Sequence, residues 1–205
     1  MNHNKKLSDL TKLALLTAMI LMLSVTPLGY VPLGFMYATT IHIPVILGGI
    51  LLGPKAGAAL GGVFGLTSLL RATFTPNATS FVFSPFYSLG EFHGNVWSLV
   101  VCFVPRILIG VVAYYVFVLV KKLAKRDAPA LAAAGFAGSM TNTLLVMNLI
   151  YLLFGQQYAQ ASGKVFSGFY QVILSVILVQ GVPEALVATV LVLAAGKVLL
   201  QVLRR

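Results

Sequence analysis

Residues 39–71 read TTIHIPVILGGILLGPKAGAALGGVFGLTSLLR, and the fold turns on how this run is divided. It is apolar on both sides of a Gly-Pro-Lys turn at Gly53, Pro54 and Lys55. Proline has no backbone N–H and a fixed φ, so it suits the first turn of a helix and resists the interior. The run therefore reads as two membrane helices, Thr39 to Leu52 and Lys55 to Ala72, with Lys55 marking the cytoplasmic side of the join. The second helix carries Gly57, Gly61 and Gly65 at four-residue spacing. A ridge without side chains lets another helix backbone approach closely. Ile43-Pro44 inside the first helix predicts a bend or a partly unwound turn.

Composition extends this reading to the whole chain. Of 205 residues, 59% are hydrophobic and 9% charged, against roughly a quarter charged in soluble domains. The chain reads as an all-α integral membrane protein, one domain over residues 1–205, with room for six helices at about 20 residues per span. The net charge of +10 does not indicate a nucleic-acid partner. The basic residues cluster at the ends of apolar segments: Lys5, Lys6 and Lys12; Lys121, Lys122, Lys125 and Arg126; Lys197, Arg204 and Arg205. That is the positive-inside pattern of a protein surrounded by membrane lipid. One cysteine, Cys102, excludes an internal disulfide, and no Cys/His pattern calls for a metal or other cofactor.

The remaining spans follow in order. Leu7 to Thr26 is the first and lacks a cleavage site, so it reads as a helix rather than a signal peptide. Pro27, Gly29, Pro32 and Gly34 make an outer connection. After Ala72 a long loop, Thr73 to Asn95, mixes hydroxyl and aromatic groups, as lids over binding sites do. Trp97 to Val120 returns inward, Ala130 to Phe154 crosses outward, and Gly155 to Lys164 is a polar outer segment. Pro183 to Leu203 is the last span. If Phe166 to Gln180 also crossed, the tail Arg204-Arg205 would lie outside. Six spans with both termini cytoplasmic satisfy the charges, leaving Phe166 to Gln180 as a shallow or re-entrant piece, or as an outer extension of the last helix.

Polar residues in apolar surroundings are the candidates for chemistry. Arg71, where the third span meets the loop, is either an interfacial anchor or a fork for an anionic ligand. Arg106 lies mid-span, where an arginine costs at least about 2.5 kcal/mol and faces protein or a wet cavity; it bridges loosened carbonyls or binds ligand. Glu184 follows Pro183 and reads first as a complement to the positive end of the last helix. Glu91 and His93 read as solvated loop residues. His42 serves packing or a ligand hydrogen bond. Thr141, Asn142, Thr143 and Asn148 form a polar streak; Thr141, Leu145 and Asn148 share a face. Asn148 and Tyr151, nearer the outer end, are better ligand candidates than Asn142. Ser80, Phe81, Ser84 and Phe86 in the loop, with Trp97, suit a small amphipathic ligand or an aromatic belt. Thr67 and Asn77 complete the substrate-binding set. Ala14 and Ala18 form a small-xxx-small pair on the first span.

Several activities lack their machinery. There is no Gly-x4-Gly-Lys-Ser/Thr loop, so the chain is not itself an ATP-driven motor. His-Glu-x-x-His and Gly-x-Ser-x-Gly are absent. An intramembrane enzyme would need a nucleophile or an acid–base pair, and none stands out.

The run 39–70, with NATSFVFSPF (77–86), VPRILIGVVAYYVF (104–117), GSMTNTLLVM (138–147) and GVPEALVATVL (181–191), resembles the substrate-binding S component of energy-coupling factor (ECF) vitamin transporters, most of all the pantothenate-specific branch. The resemblance covers nearly the whole chain in order. It implies six helices in a bacterial cell membrane with termini inside, and one vitamin bound in the outer half under lids from the first, third and fifth connections. It implies that Ala14 and Ala18 dock on a transmembrane coupling (T) subunit, that two cytoplasmic ATPase subunits supply energy, and that the subunit topples to release its cargo. The binding residues are read from their chemistry, not transferred from the family. Pantothenate would place its carboxylate on Arg71 or Arg106, its polar chain on Asn148, Ser80 and Ser84, and its gem-dimethyl side on Phe81, Phe86 and Trp97. A flat-ringed vitamin such as folate or riboflavin would stack on the loop phenylalanines. A carrier acting without ATPase partners is the remaining alternative.

Overall fold

A computed structural model describes residues 3–32, 37–161, 163 and 168–203. Helix α1 (His3–Val25) leads through a 3-10 turn (Pro27–Gly29) into strand β1 (Tyr30–Pro32), which pairs antiparallel with β2 (Tyr37–Thr39). Then come α2 (His42–Leu52) and α3 (Pro54–Phe74), a 3-10 turn (Ser80–Val82), a small hairpin of β3 (Ser88–Leu89) and β4 (Phe92–His93), α4 (Val96–Ala124) and α5 (Asp127–Ala161). The chain ends in α6 (Phe169–Val176), a π turn (Ile177–Gly181) and α7 (Val182–Leu203). Among the described residues, five helical stretches are long and apolar enough to cross a membrane: Lys5–Val25, α3, α4, α5 and the run Phe169–Val202. Helix α2 is apolar but has 11 residues, about 16 Å of rise against a hydrocarbon core of about 30 Å.

The central hairpin forms as the glycines predict. Gly53 takes φ +97°, and Pro54 opens α3. A Cβ on Gly57 would stand 2.9 Å from the backbones of Gly110 and Gly49, so α2, α3 and α4 meet at three glycines. One on Gly61 would strike the Arg106 carbonyl, and one on Gly65 the Phe103 ring at 2.7 Å. The close face of α3 is thus built against α4, and Cys102 donates its Sγ–H to the Gly65 carbonyl across the same seam at 3.3 Å.

Three expectations are corrected, the start of α2, its bend at Pro44 and the end of α5, and one open alternative is decided. Helix α2 starts at His42 because Tyr37–Thr39 is drawn into the hairpin with β1. Pro44 therefore falls in the first turn, where no earlier carbonyl awaits its missing N–H, and no bend is required. The long loop is folded by its own side chains. Asn77 Oδ1 accepts from the Thr79 amide at 3.0 Å and from the Thr79 and Ser80 hydroxyls at 3.1 Å each. Helix α5 runs seven residues past Phe154, because Gln156, Gln157, Ala159, Gln160 and Ala161 favour helix and Gly155 alone does not stop it. Last, α6, the π turn and α7 are one continuous rod from Phe169. Pro183 sits just beyond the π turn, whose wider winding makes room for a ring that a tight helix would clash with. Of the two readings of the segment before Pro183, the extension of the last helix is the one formed. Gly34, Lys164, Phe166, Arg204 and Arg205 lie outside the described residues.

Of three buried apolar clusters among the described residues, one packs α6 and the π turn on α5 through Ala159, Phe169, Ile173 and Ile177, and two others hold the rest of the bundle. One gathers Ile20, Val45, Ile46, Leu60, Phe64, Ile109 and Leu131 toward the lysine-bearing turns. The other gathers Phe81, Val82, Val101, Val146, Ile150 and Phe154 beneath the long loop. Members of both line the cavity at the loop end.

Candidate functional site

The deep end of the site is set by a missing hydrogen bond. Pro105 has no N–H, so the Val101 carbonyl four residues earlier loses its helical donor. Arg106 replaces it, donating from Nη1 to the Val101 oxygen at 2.7 Å. Its guanidinium lies 5.7 Å from the Phe64 ring centre and 5.1 Å from that of Phe83, the geometry of cation–π contact. Arg106 is 7% exposed and lines a cavity of about 480 Å³, within the range of about 300–1,000 Å³ usual for small-molecule pockets.

Arg71 lines the same cavity from the last turn of α3. It is exposed and stands seven residues beyond Phe64, a rise of about 10 Å, so the two arginines mark the mouth and the floor. Asn77 and Ser80 contribute the loop rim. Helix α5 presents Asn142, Thr143, Val146, Met147 and Ile150, which recur at the three- and four-residue spacing of one helical face. The Oδ1 of Asn142 is buried without a hydrogen-bond partner. From the last rod, Gln180 and Glu184 face inward. Glu184 is 7% exposed. Its Oε1 accepts from the Thr39 hydroxyl at 2.6 Å and lies 3.6 Å from His42 Nδ1. His42 is 1% exposed, and its Nδ1 is 3.4 Å from Thr39 Oγ1.

Of the substrate-binding set, the structure thus gathers Arg71, Asn77, Ser80 and Arg106 around one cavity, and places Thr67, Phe81, Ser84, Phe86, Trp97, Asn148 and Tyr151 outside its lining. Thr67 is buried and donates to the Phe64 carbonyl at 2.9 Å. Phe81 is buried in the loop cluster, 5.9 Å from Phe92 and 6.1 Å from Phe154. Ser84 pairs with Thr73 at 2.7 Å. Phe86 and Trp97 are 78% and 55% exposed. Asn148 donates to the Leu144 carbonyl at 2.7 Å, and Tyr151 stacks on Phe169 with centroids 6.3 Å apart. Asn142 lines the cavity and Asn148 does not, because six residues along a helix turn a side chain about 120° off the starting face. Glu184 stands within a continuous rod rather than at a free helix start, so the reading of it as a dipole complement loses its basis. Thr39, Phe64, Asn142, Thr143, Gln180 and Glu184 are lining residues that pattern alone did not single out as ligand contacts.

A family model described as "ECF transporter, substrate-specific component" matches residues 8–195. The chain belongs to that family. Among curated relatives, the S component is 41% identical over 155 residues, covering 72% of this chain and 76% of the relative, to a protein of Lactococcus lactis subsp. cremoris named pantothenic acid transporter PanT. It is 28% identical, over 98% of this chain and 97% of the relative, to the pantothenate transporter PanT of Leuconostoc mesenteroides subsp. mesenteroides. In three dimensions it resembles the crystal structure of an S component for biotin from an ECF-type ABC transporter, with a TM-score of 0.59, 18% identity, and coverage of 96% of this chain and 95% of the other. At that identity the likeness establishes the fold. An S component is a transport subunit rather than an enzyme, and the energy module belongs to other chains.

Proposed function

We propose that this S component binds pantothenate and delivers it to an ECF transporter. The observation that carries this is the cavity at the loop end, joined to relatives named for the same vitamin. Pantothenate has one carboxylate, an amide, two hydroxyls and a gem-dimethyl group. Arg71 at the mouth takes the carboxylate in a charge-assisted bond. Asn77 and Ser80 meet the amide. Phe83, Val146 and Ile150 cover the dimethyl side. A flat-ringed vitamin fits less well. Among the described residues, Phe83 alone of the phenylalanines in the long loop lines the cavity, and Phe81 and Phe86 turn away.

The assembly follows the family. Ala14 and Ala18 lie exposed on α1, a groove of small residues open to the helix of a T subunit. Two cytoplasmic ATPase subunits supply the energy. The subunit sits in the cell membrane, with α2 and its hairpin completing a sixth crossing and both termini cytoplasmic, so that the lysine-bearing turns face inward and the cavity faces out.

Isothermal titration with pantothenate tests the reading. The wild type should bind, and Arg71→Ala should weaken binding by about ten- to a hundred-fold, the range for a hydrogen bond to a charged group. Equal affinity in the variant removes Arg71 from the site. No binding by the wild type removes the vitamin.

A further inference from the structure

Glu184 has no part in the scheme above, yet it is buried and lines the floor with Arg106, with Thr39 and His42 at its side. A carboxylate accepts at about four lone-pair sites, and Thr39 donates to one of its oxygens. Asn142 Oδ1, on the α5 side of the lining, is buried with no hydrogen-bond partner. Beside the Arg106 guanidinium, which donates, the floor therefore presents two acceptors, Glu184 and Asn142, that a ligand donor can meet. Among the described residues, the charges there are Arg106 from α4 and Glu184 from α7, with the titratable His42 from α2, and Arg71 stands at the mouth. Glu184 already offsets the Arg106 charge on the floor, so a second anion placed there would meet the carboxylate in a medium that screens poorly. A hydroxyl there supplies the missing proton and brings no charge.

We infer that Glu184 is the specificity-determining residue of this cavity: with Asn142 it receives the ligand's hydroxyl end at the floor, and it turns away molecules that carry an anion at that end. The ligand then has one orientation, carboxylate at Arg71 and primary hydroxyl inward. The inference rests on the pantothenate reading and adds a discrimination to it. The free vitamin enters, and the same molecule carrying a phosphate on its primary hydroxyl does not. Like-charge opposition of this kind is how binding sites reject a close analogue that contact area alone would admit.

The test is titration of the purified, full-length S component with pantothenate and with its primary phosphate monoester. The wild type should prefer the free vitamin by at least about ten-fold. Glu184→Gln keeps the shape, removes the charge and should narrow that ratio, while Glu184→Asp should keep it. Wild-type protein that binds both compounds equally overturns the inference, as does Glu184→Gln that binds pantothenate with the ratio unchanged. Should the Glu184→Gln protein not fold, Asn142→Leu carries the test. It should weaken pantothenate and leave the analogue lacking the primary hydroxyl unaffected, and equal losses for both overturn the assignment. Wild-type protein that binds neither compound overturns the pantothenate reading as well, which separates that failure from failure of the inference alone.

Discussion

At the scale of single residues, Pro105 and Arg106 act as a pair. The proline removes a donor and the arginine returns one, aimed at the Val101 carbonyl and held between Phe64 and Phe83. The two should therefore be coupled. Arg106→Leu should lower stability by about 2 kcal/mol with Pro105 in place, since it orphans a buried carbonyl. It should cost about 1 kcal/mol less in a Pro105→Ala background, where the helix supplies its own N–H. Thermal unfolding of the four proteins in detergent measures this, and equal costs would refute the pairing. Arg106 was legible because a charge in the middle of an apolar span must have a partner. Glu184 was obscured by Pro183, which looks in sequence like a helix start. Only the π turn before it shows that the helix passes through.

At the scale of elements, glycine spacing foretold the seam and local polarity misjudged some ends. Gly57, Gly61 and Gly65 face α4 as their period requires, and Gly62 does not, since a Cβ there meets nothing within 4 Å. The seam makes opposite forecasts for neighbouring glycines. Gly57→Ala should destabilise by about 1–3 kcal/mol through overpacking against Gly110 and Gly49. Gly62→Ala should be neutral or stabilising by up to about 1 kcal/mol from helix propensity. Unfolding midpoints that move together would contradict the packing described. The start of α2 was hidden because hairpin pairing of Thr39 with Tyr30 is a contact between distant residues that local pattern does not carry. The helical phase of α5 fixed which polar residues meet the cavity. Asn142 and Thr143 share a face with Val146 and Ile150, and Asn148 falls off it. Periodicity placed Thr141, Leu145 and Asn148 together but gave no sign of which face looked inward.

At the scale of the molecule, the turns that carry Lys55 and Lys121 to Lys125 lie at the end of the bundle away from the cavity, and the positive-inside rule then predicts a cavity that faces out. The fold class was legible from composition and from apolar runs, which the bilayer imposes on any spanning chain. The cavity was not, because its walls come from six separated segments. Orientation is open to direct test in a Cys102→Ala background, since Cys102 is buried. A cysteine at Thr79 should react with a membrane-impermeant maleimide in intact cells, and one at Lys125 only after permeabilisation. The reverse pattern would invert the topology.

The central claim is that the cavity beneath Arg71 holds one pantothenate. Native mass spectrometry of the S component, purified without added vitamin from cells grown on pantothenate, tests it most directly. The account predicts a bound mass equal to one pantothenate per chain, lost in Arg71→Ala. A chain that instead carries a different vitamin, or a lipid in the same stoichiometry, would contradict it.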